Sequence, residues 1–314
     1  MSTLYPATDP RRSGHLDVGD GHAVYWEESG TPDGVPVVFV HGGPGSGCSP
    51  DSRRYFDPDR YRVVLFDQRG AGKSRPEAEI RHNDSARLVA DMEQLRAHLG
   101  IERWLLFGGS WGTTLALLYA QAHPERSRGL ILRGVFLGRP QDIDWFYRDG
   151  TRRVYPEYWQ ALAVLFAEAD LQDLPLACHR IINGPDSELA RRAALAWSRY
   201  EGACATLNPD PAYLRGFLDP DQAWRFARIC AHYMANRLFL TDNQILDHAD
   251  RLRDLPGVII HGRYDMICAP DQALTLHQAW PRSELQWIDN AGHSASEPGI
   301  REALVAAADT FASE

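Results

Sequence analysis

The chain has 314 residues, a formal net charge of −9 and a hydrophobic share of 44%. This length suits a large α/β fold or a core with an inserted domain, the acidic balance without a basic block excludes nucleic acid as an expected partner, and no segment reaches the apolar length of a membrane span. Cysteines at 48, 178, 204, 230 and 268 are odd in number and form no C-x-x-C pair, so neither a disulfide framework nor a zinc knuckle is expected.

The first residues, "MSTLYPATDPRR", lack an apolar signal core, and with the cysteine usage they predict a cytoplasmic setting. "GHLDVGDGHAVYWEESG" then reads as two strands joined by the turn Gly19-Asp20-Gly21. Short apolar runs follow at 36–40, 62–66, 103–107, 129–136, 257–262 and 284–288, with helical patterns at about 84–99, 112–123, 270–279 and 299–313. Such alternation predicts a mostly parallel, doubly wound sheet covered on both faces. It fails between about 138 and 242, a stretch helical in pattern and rich in aromatics such as Trp197, Tyr200, Tyr213 and Tyr233. The economical reading is a core of residues 1–137 and 243–314 carrying a helical cap over 138–242, with most of those aromatics in the cap's own core.

Chemistry concentrates at the ends of the strands. "GGSWGTT" at 108–114 lies between an apolar strand and a helix, in the strand, sharp turn and helix order of a G-x-S-x-G nucleophile elbow. Gly108 and Gly112 allow close backbone approach around a strained Ser110, and the helix aims its N–H groups at the reacting centre. A serine hydroxyl needs a base and a group to orient that base. In α/β-hydrolase order these follow later in the chain: Asp265 after "GVIIHGRYD" and His293 after "LQWIDNAGH". The neighbouring carboxylate favours an upward shift of the histidine pKa. Asp289 is the rival acid, but its closeness to His293 in sequence suits a loop-shaping role. "HGGPG" at 41–45 follows a strand directly, as an oxyanion loop does, which makes Gly43 N–H and Trp111 N–H the expected donors and His41 a structural residue ending the strand.

"DQRGAGKS" at 67–74 imitates a phosphate loop, yet the first glycine of that motif would fall on Asp67. No nucleotide, cofactor or metal ion is implied.

With "HGGPG", "DQRGAGKS", "GGSWGTTLAL", "LRGVFLGR", "GRYDMICAP" and "AGHSASEP" in order, the chain resembles the proline iminopeptidases of the α/β-hydrolase fold from about residue 14 onward. The resemblance implies release of an N-terminal proline from peptides through a prolyl-enzyme intermediate, with Ser110, Asp265 and His293 as the triad. It points to Glu201, in "AWSRYEG", as the carboxylate that meets the substrate's cationic imino group, and to Phe136 and Tyr147 as walls of the proline pocket. Where the family often carries a second glutamate, in a segment like "RICAHYM", this chain has Cys230. Read without the family, Glu201 is a solvated surface charge. An esterase or other amide hydrolase with a different acyl group, and a non-catalytic binding protein, remain the competing readings, because fold alone does not decide function.

Overall fold

A computed structural model describes residues 4–313. Its strands are β1 Arg12–Gly19, β2 His22–Gly30, β3 Val35–Val40, β4 Tyr61–Phe66, β5 Trp104–Gly109, β6 Ser127–Arg133, β7 Gly257–Gly262 and β8 Ser283–Ile288. They form one sheet in the order β1-β2-β4-β3-β5-β6-β7-β8. The β1–β2 hairpin and the β2–β4 pair are antiparallel, and every other pair is parallel.

Side chains alternate across each strand, so one sequence run supplies two cores. Val38, Val40, Leu106, Leu130 and Leu132 enter the larger cluster with residues of α1 (Ser85–His98) and α2 (Trp111–Ala122). Their neighbours Val37, Leu105, Phe107 and Ile131 pack on the opposite face under Ile300 and Leu304. A sheet buried on both faces requires near-continuous apolar strands, which is why the runs read as strands in the sequence. The run expected at 129–136 is cut short: β6 ends at Arg133 because Gly134 turns the chain with φ +59, at a point where a Cβ would lie 3.0 Å from the His293 ring.

Between β6 and β7 run α3 (Pro140–Asp144), α4 (Thr151–Val154), α5 (Pro156–Ala163), α6 (Leu174–Ile182), α7 (Glu188–Ala203), α8 (Pro211–Arg215), α9 (Pro220–Ala235) and α10 (Gln244–Asp247). Prolines at the first turn and side-chain N-caps from Asp173, Ser187, Asp210 and Asp219 start several of them. Helices α6, α7 and α9 pack on one another, while α10 packs on α2. Aromatic stacking holds the group together: Tyr147 lies on Trp197 at 4.7 Å and Phe146 on Tyr200 at 4.8 Å. This helical segment also touches the strand ends below it. Tyr233 meets the Trp111 ring at 5.0 Å, and the backbone N–H groups of His293 and Ser294 donate to Ala205 O at 2.9 and 2.8 Å. Helices α11 (Asp271–Ala279) and α12 (Pro298–Phe311) complete the two layers.

Candidate active site

Ser110 sits between β5 and α2 with φ 59 and ψ −128. A non-glycine residue in that region carries strain on the order of 1–3 kcal/mol, and the surroundings must hold it there. They do so through Ser110 N–H donating to Arg133 O at 2.9 Å and Ser110 O accepting from Thr113 N–H at 2.8 Å. The flanking glycines are required by space. A Cβ on Gly108 would lie 2.4 Å from Gly112 O, and one on Gly112 would lie 2.0 Å from Val40 O. Thr113 Oγ1 donates to Ser110 O and accepts from Phe136 N–H, which ties the turn to the pocket wall.

Asp265 and His293 meet at 2.7 Å through Oδ2 and Nδ1. Asp265 Oδ1 accepts from the N–H groups of Ile267 and Cys268 at 2.9 and 2.8 Å, so both carboxylate oxygens are engaged. Burial pushes the Asp265 pKa up, but the imidazole beside it and these donors bring it below the usual carboxylate range. The exposed side chain of Asp289 faces Arg263 at 3.6 Å, away from this pair. For His293, burial and the nearby Arg133 charge outweigh the Asp265 carboxylate, and the pKa falls instead of rising as the sequence led one to expect. A guanidinium can only donate, so Arg133 Nη1, 3.0 Å from His293 Nε2, marks that nitrogen as the acceptor and Nδ1 as the protonated one. The imidazole is therefore neutral and in the tautomer a general base needs. No hydrogen bond joins Ser110 Oγ to Nε2, whose lone pair faces Arg133.

The expected oxyanion donors lie beside the serine. Gly43 lines the same cavity as Ser110, and a Cβ on Gly42 would come 3.3 Å from Ser110 Cβ. Neither Gly43 N–H nor Trp111 N–H has a hydrogen-bond partner among the described residues. Trp111 opens α2 and Gly43 lies in the loop after β3, and two free N–H groups beside the serine are suited to an anion. His41 is locked by its backbone neighbours: Nε2 accepts from Gln68 N–H at 3.0 Å and Nδ1 donates to Gly42 O at 2.9 Å. Asp67 organises the imitation phosphate loop, accepting from Cys48 and Lys73 N–H at 2.7 and 2.8 Å.

A small apolar pocket opens from Ser110 between Phe136, Phe146, Tyr147, Met234 and Cys268, with Glu201 also on its wall. Glu201 is 9% exposed, which overturns the surface reading that its local sequence supports. Its Oε1 accepts from Tyr147 OH at 2.7 Å, and the Cys230 thiol lies behind it at 3.8 Å. Burial pushes the Glu201 pKa up to about 7, only partly offset by these two donors. Cys230 is fully buried and is not part of the pocket wall, so the structure brings it to Glu201 but not to the cavity. Sequence reasoning passed over Cys268 and Arg133. A charged residue at the carboxyl end of the strand beside the elbow was the available signal, since Gly109 and Arg133 are register partners.

Asp265, Cys268 and His293 bring ligand-type atoms within 4.8 Å of one another. Burial holds the Cys268 thiol well above the ordinary cysteine range, so it is a protonated and poor ligand, and Oδ2 and Nδ1 are already bound to each other. The donor set fits an acid–base pair better than a metal centre.

Residues 35–299 match the alpha/beta hydrolase fold family. Among curated relatives, the chain is 47% identical to a proline iminopeptidase of Xylella fastidiosa, over 99% of this chain and 100% of that protein. It is 48% identical to one of Arabidopsis thaliana, over 97% of this chain and 81% of that protein. A solved structure of a Mycobacterium smegmatis proline iminopeptidase superposes with a TM-score of 0.64 at 19% identity, covering 96% of this chain and 98% of that one, which speaks for the shared fold.

Proposed function

Because the chain belongs to the proline iminopeptidase family of α/β hydrolases, we propose that it releases N-terminal proline from peptides, with Ser110 as nucleophile, His293 as base and Asp265 as the group that orients it. The observation that carries this reading is a buried carboxylate, Glu201, on the wall of the same pocket as Ser110. A cationic imino group buried there without a carboxylate would be costly, and Glu201 supplies the compensation. The proline ring lies against Phe136 and Tyr147. In this reading the helical segment over 138–242 is a cap that carries Glu201 to the imino nitrogen, which ties cleavage to a free N-terminus.

Ser110 Oγ attacks the prolyl carbonyl and passes its proton to His293 Nε2 once Arg133 yields that position, while Asp265 stabilises the imidazolium. The oxyanion is met by Gly43 and Trp111 N–H. His293 then protonates the departing amine, and water repeats the sequence on the prolyl ester. Every proton in this cycle is carried by the protein's own groups, and the reading calls for no cofactor. A cytoplasmic setting fits five cysteines that are all free thiols and the absence, among the described residues, of a helix long and apolar enough to cross a membrane.

The competing esterase reading gives Glu201 no task, because a simple acyl group carries no cation. Rates on a prolyl amide, its N-acetyl counterpart and a short-chain ester decide between them. We expect the acetylated amide to be cleaved at least 100-fold more slowly than the free one, on the order of a lost buried charge contact. Equal rates on both amides would overturn the aminopeptidase assignment.

A further inference from the structure

We propose that Arg133 is the subsite for the C-terminal carboxylate of the departing residue, which makes prolyl dipeptides with a free carboxylate the favoured substrates. This rests on the prolyl aminopeptidase reading above and names the other half of its substrate.

Arg133 ends β6 beside the nucleophile turn, and the missing side chain of Gly109 makes room for it: a Cβ there would lie 2.5 Å from Nη2. Its guanidinium has no carboxylate partner among the described residues. Nη1 donates to His293 Nε2 at 3.0 Å and to His293 O at 2.9 Å, while the buried Nε has no hydrogen-bond partner. A cation in such a place is poorly compensated. It lines a groove of about 350 Å³ that runs from Ser110, Glu201 and His293 past Tyr55, Tyr213 and Phe217. With the prolyl ring against Phe136 and Tyr147, which line the smaller pocket and not this groove, the departing residue takes the groove.

Covalent geometry sets the reach. The departing nitrogen has to come within about 3 Å of Nε2 to take the proton. In an α-amino acid the carboxyl carbon is about 2.5 Å from that nitrogen, given the N–Cα and Cα–C bond lengths and the angle between them. A guanidinium nitrogen 3.0 Å from Nε2 can therefore be reached by a carboxylate oxygen of the first departing residue. The exchange also favours catalysis. Arg133 gives up a neutral acceptor for an anionic one, which makes the stronger bond, and Nε2 becomes free to take the Ser110 proton. Aromatic walls and the hydroxyls of Ser294 and Ser296 accommodate the side chain.

The test compares kcat/KM for Pro-Leu and Pro-Leu-amide in wild type, Arg133→Gln and Arg133→Lys. Taking the acid-to-amide ratio within each variant cancels any general damage to His293. Wild type should favour the free acid by roughly 10- to 100-fold, the worth of a charge-assisted contact. Arg133→Gln should bring the ratio close to one, and Arg133→Lys should retain part of it. A wild-type ratio near one, or a ratio unchanged in Arg133→Gln, would overturn the carboxylate subsite while leaving the aminopeptidase intact. Failure of wild type to cleave either compound, with a neutral ester still hydrolysed, would instead defeat the aminopeptidase reading itself.

Discussion

Tyr147 donates its hydroxyl to Glu201 at 2.7 Å, and no cation pairs with that carboxylate among the described residues. The pocket therefore holds a poorly neutralised acid next to Ser110 until a charged ligand enters. Glu201→Gln keeps the size and the Tyr147 contact but removes the charge. It should lower kcat/KM on prolyl amides by about 2–5 kcal/mol in barrier while sparing a neutral ester. Equal losses on both substrates would mean that Glu201 holds the helical segment together instead of reading the amine.

The same substitution has a consequence for stability. The folded pKa of Glu201, pushed up to about 7, lies above its unfolded value, so its contribution is complete in acid and is lost as pH rises through 7. Glu201→Gln removes that pH-dependent cost. Urea unfolding should show the variant matching wild type near pH 4 and exceeding it by about 3 kcal/mol near pH 8, from the size of the shift. A constant difference across this range would contradict the raised pKa.

Activity should rise with pH for two separable reasons. His293 must be neutral, and burial places its pKa below the ordinary histidine range; Glu201 must be ionised, which begins near pH 7. Prolyl amides should thus show an acid limb in kcat/KM near pH 7, whereas a neutral ester should lose activity only at lower pH. Coincident limbs for the two substrates would remove Glu201 from the titration.

Ser110→Ala and His293→Ala should each cost roughly four to six orders of magnitude in kcat, since nucleophile and base act as a unit. Asp265→Asn should be somewhat milder. Retention of a tenth of wild-type activity by purified Ser110→Ala would refute the elbow assignment, and full activity in Asp265→Asn would return Asp289 to consideration.

Because the proposed proton transfers use only protein groups, prolonged dialysis against EDTA should leave the prolyl amidase rate unchanged. A loss reversed by adding a divalent ion would point instead to the Asp265, Cys268 and His293 cluster as a metal site.

Much of this architecture is legible in the sequence. Apolar runs announced the strands because a sheet covered on both faces tolerates little else, and Gly108 and Gly112 announced the elbow because backbone packs where their side chains would be. Asp265 and His293 followed from their positions just after strands. These are local constraints, and neighbouring residues record them. Glu201 is different: its sequence surroundings are those of an exposed helix face, and its burial comes from Tyr147, 54 positions away in the chain. Arg133 likewise becomes a partner of His293 only when β6 lies beside β5 and the loop after β8 folds back over both. Desolvation and unpaired charge depend on which distant segments cover a group, so the sequence by itself determined the apolar strands, the elbow and the candidate triad. Only the tertiary structure decided the strand order, which carboxylate is buried, which way burial shifts the histidine and which cation lies beside it.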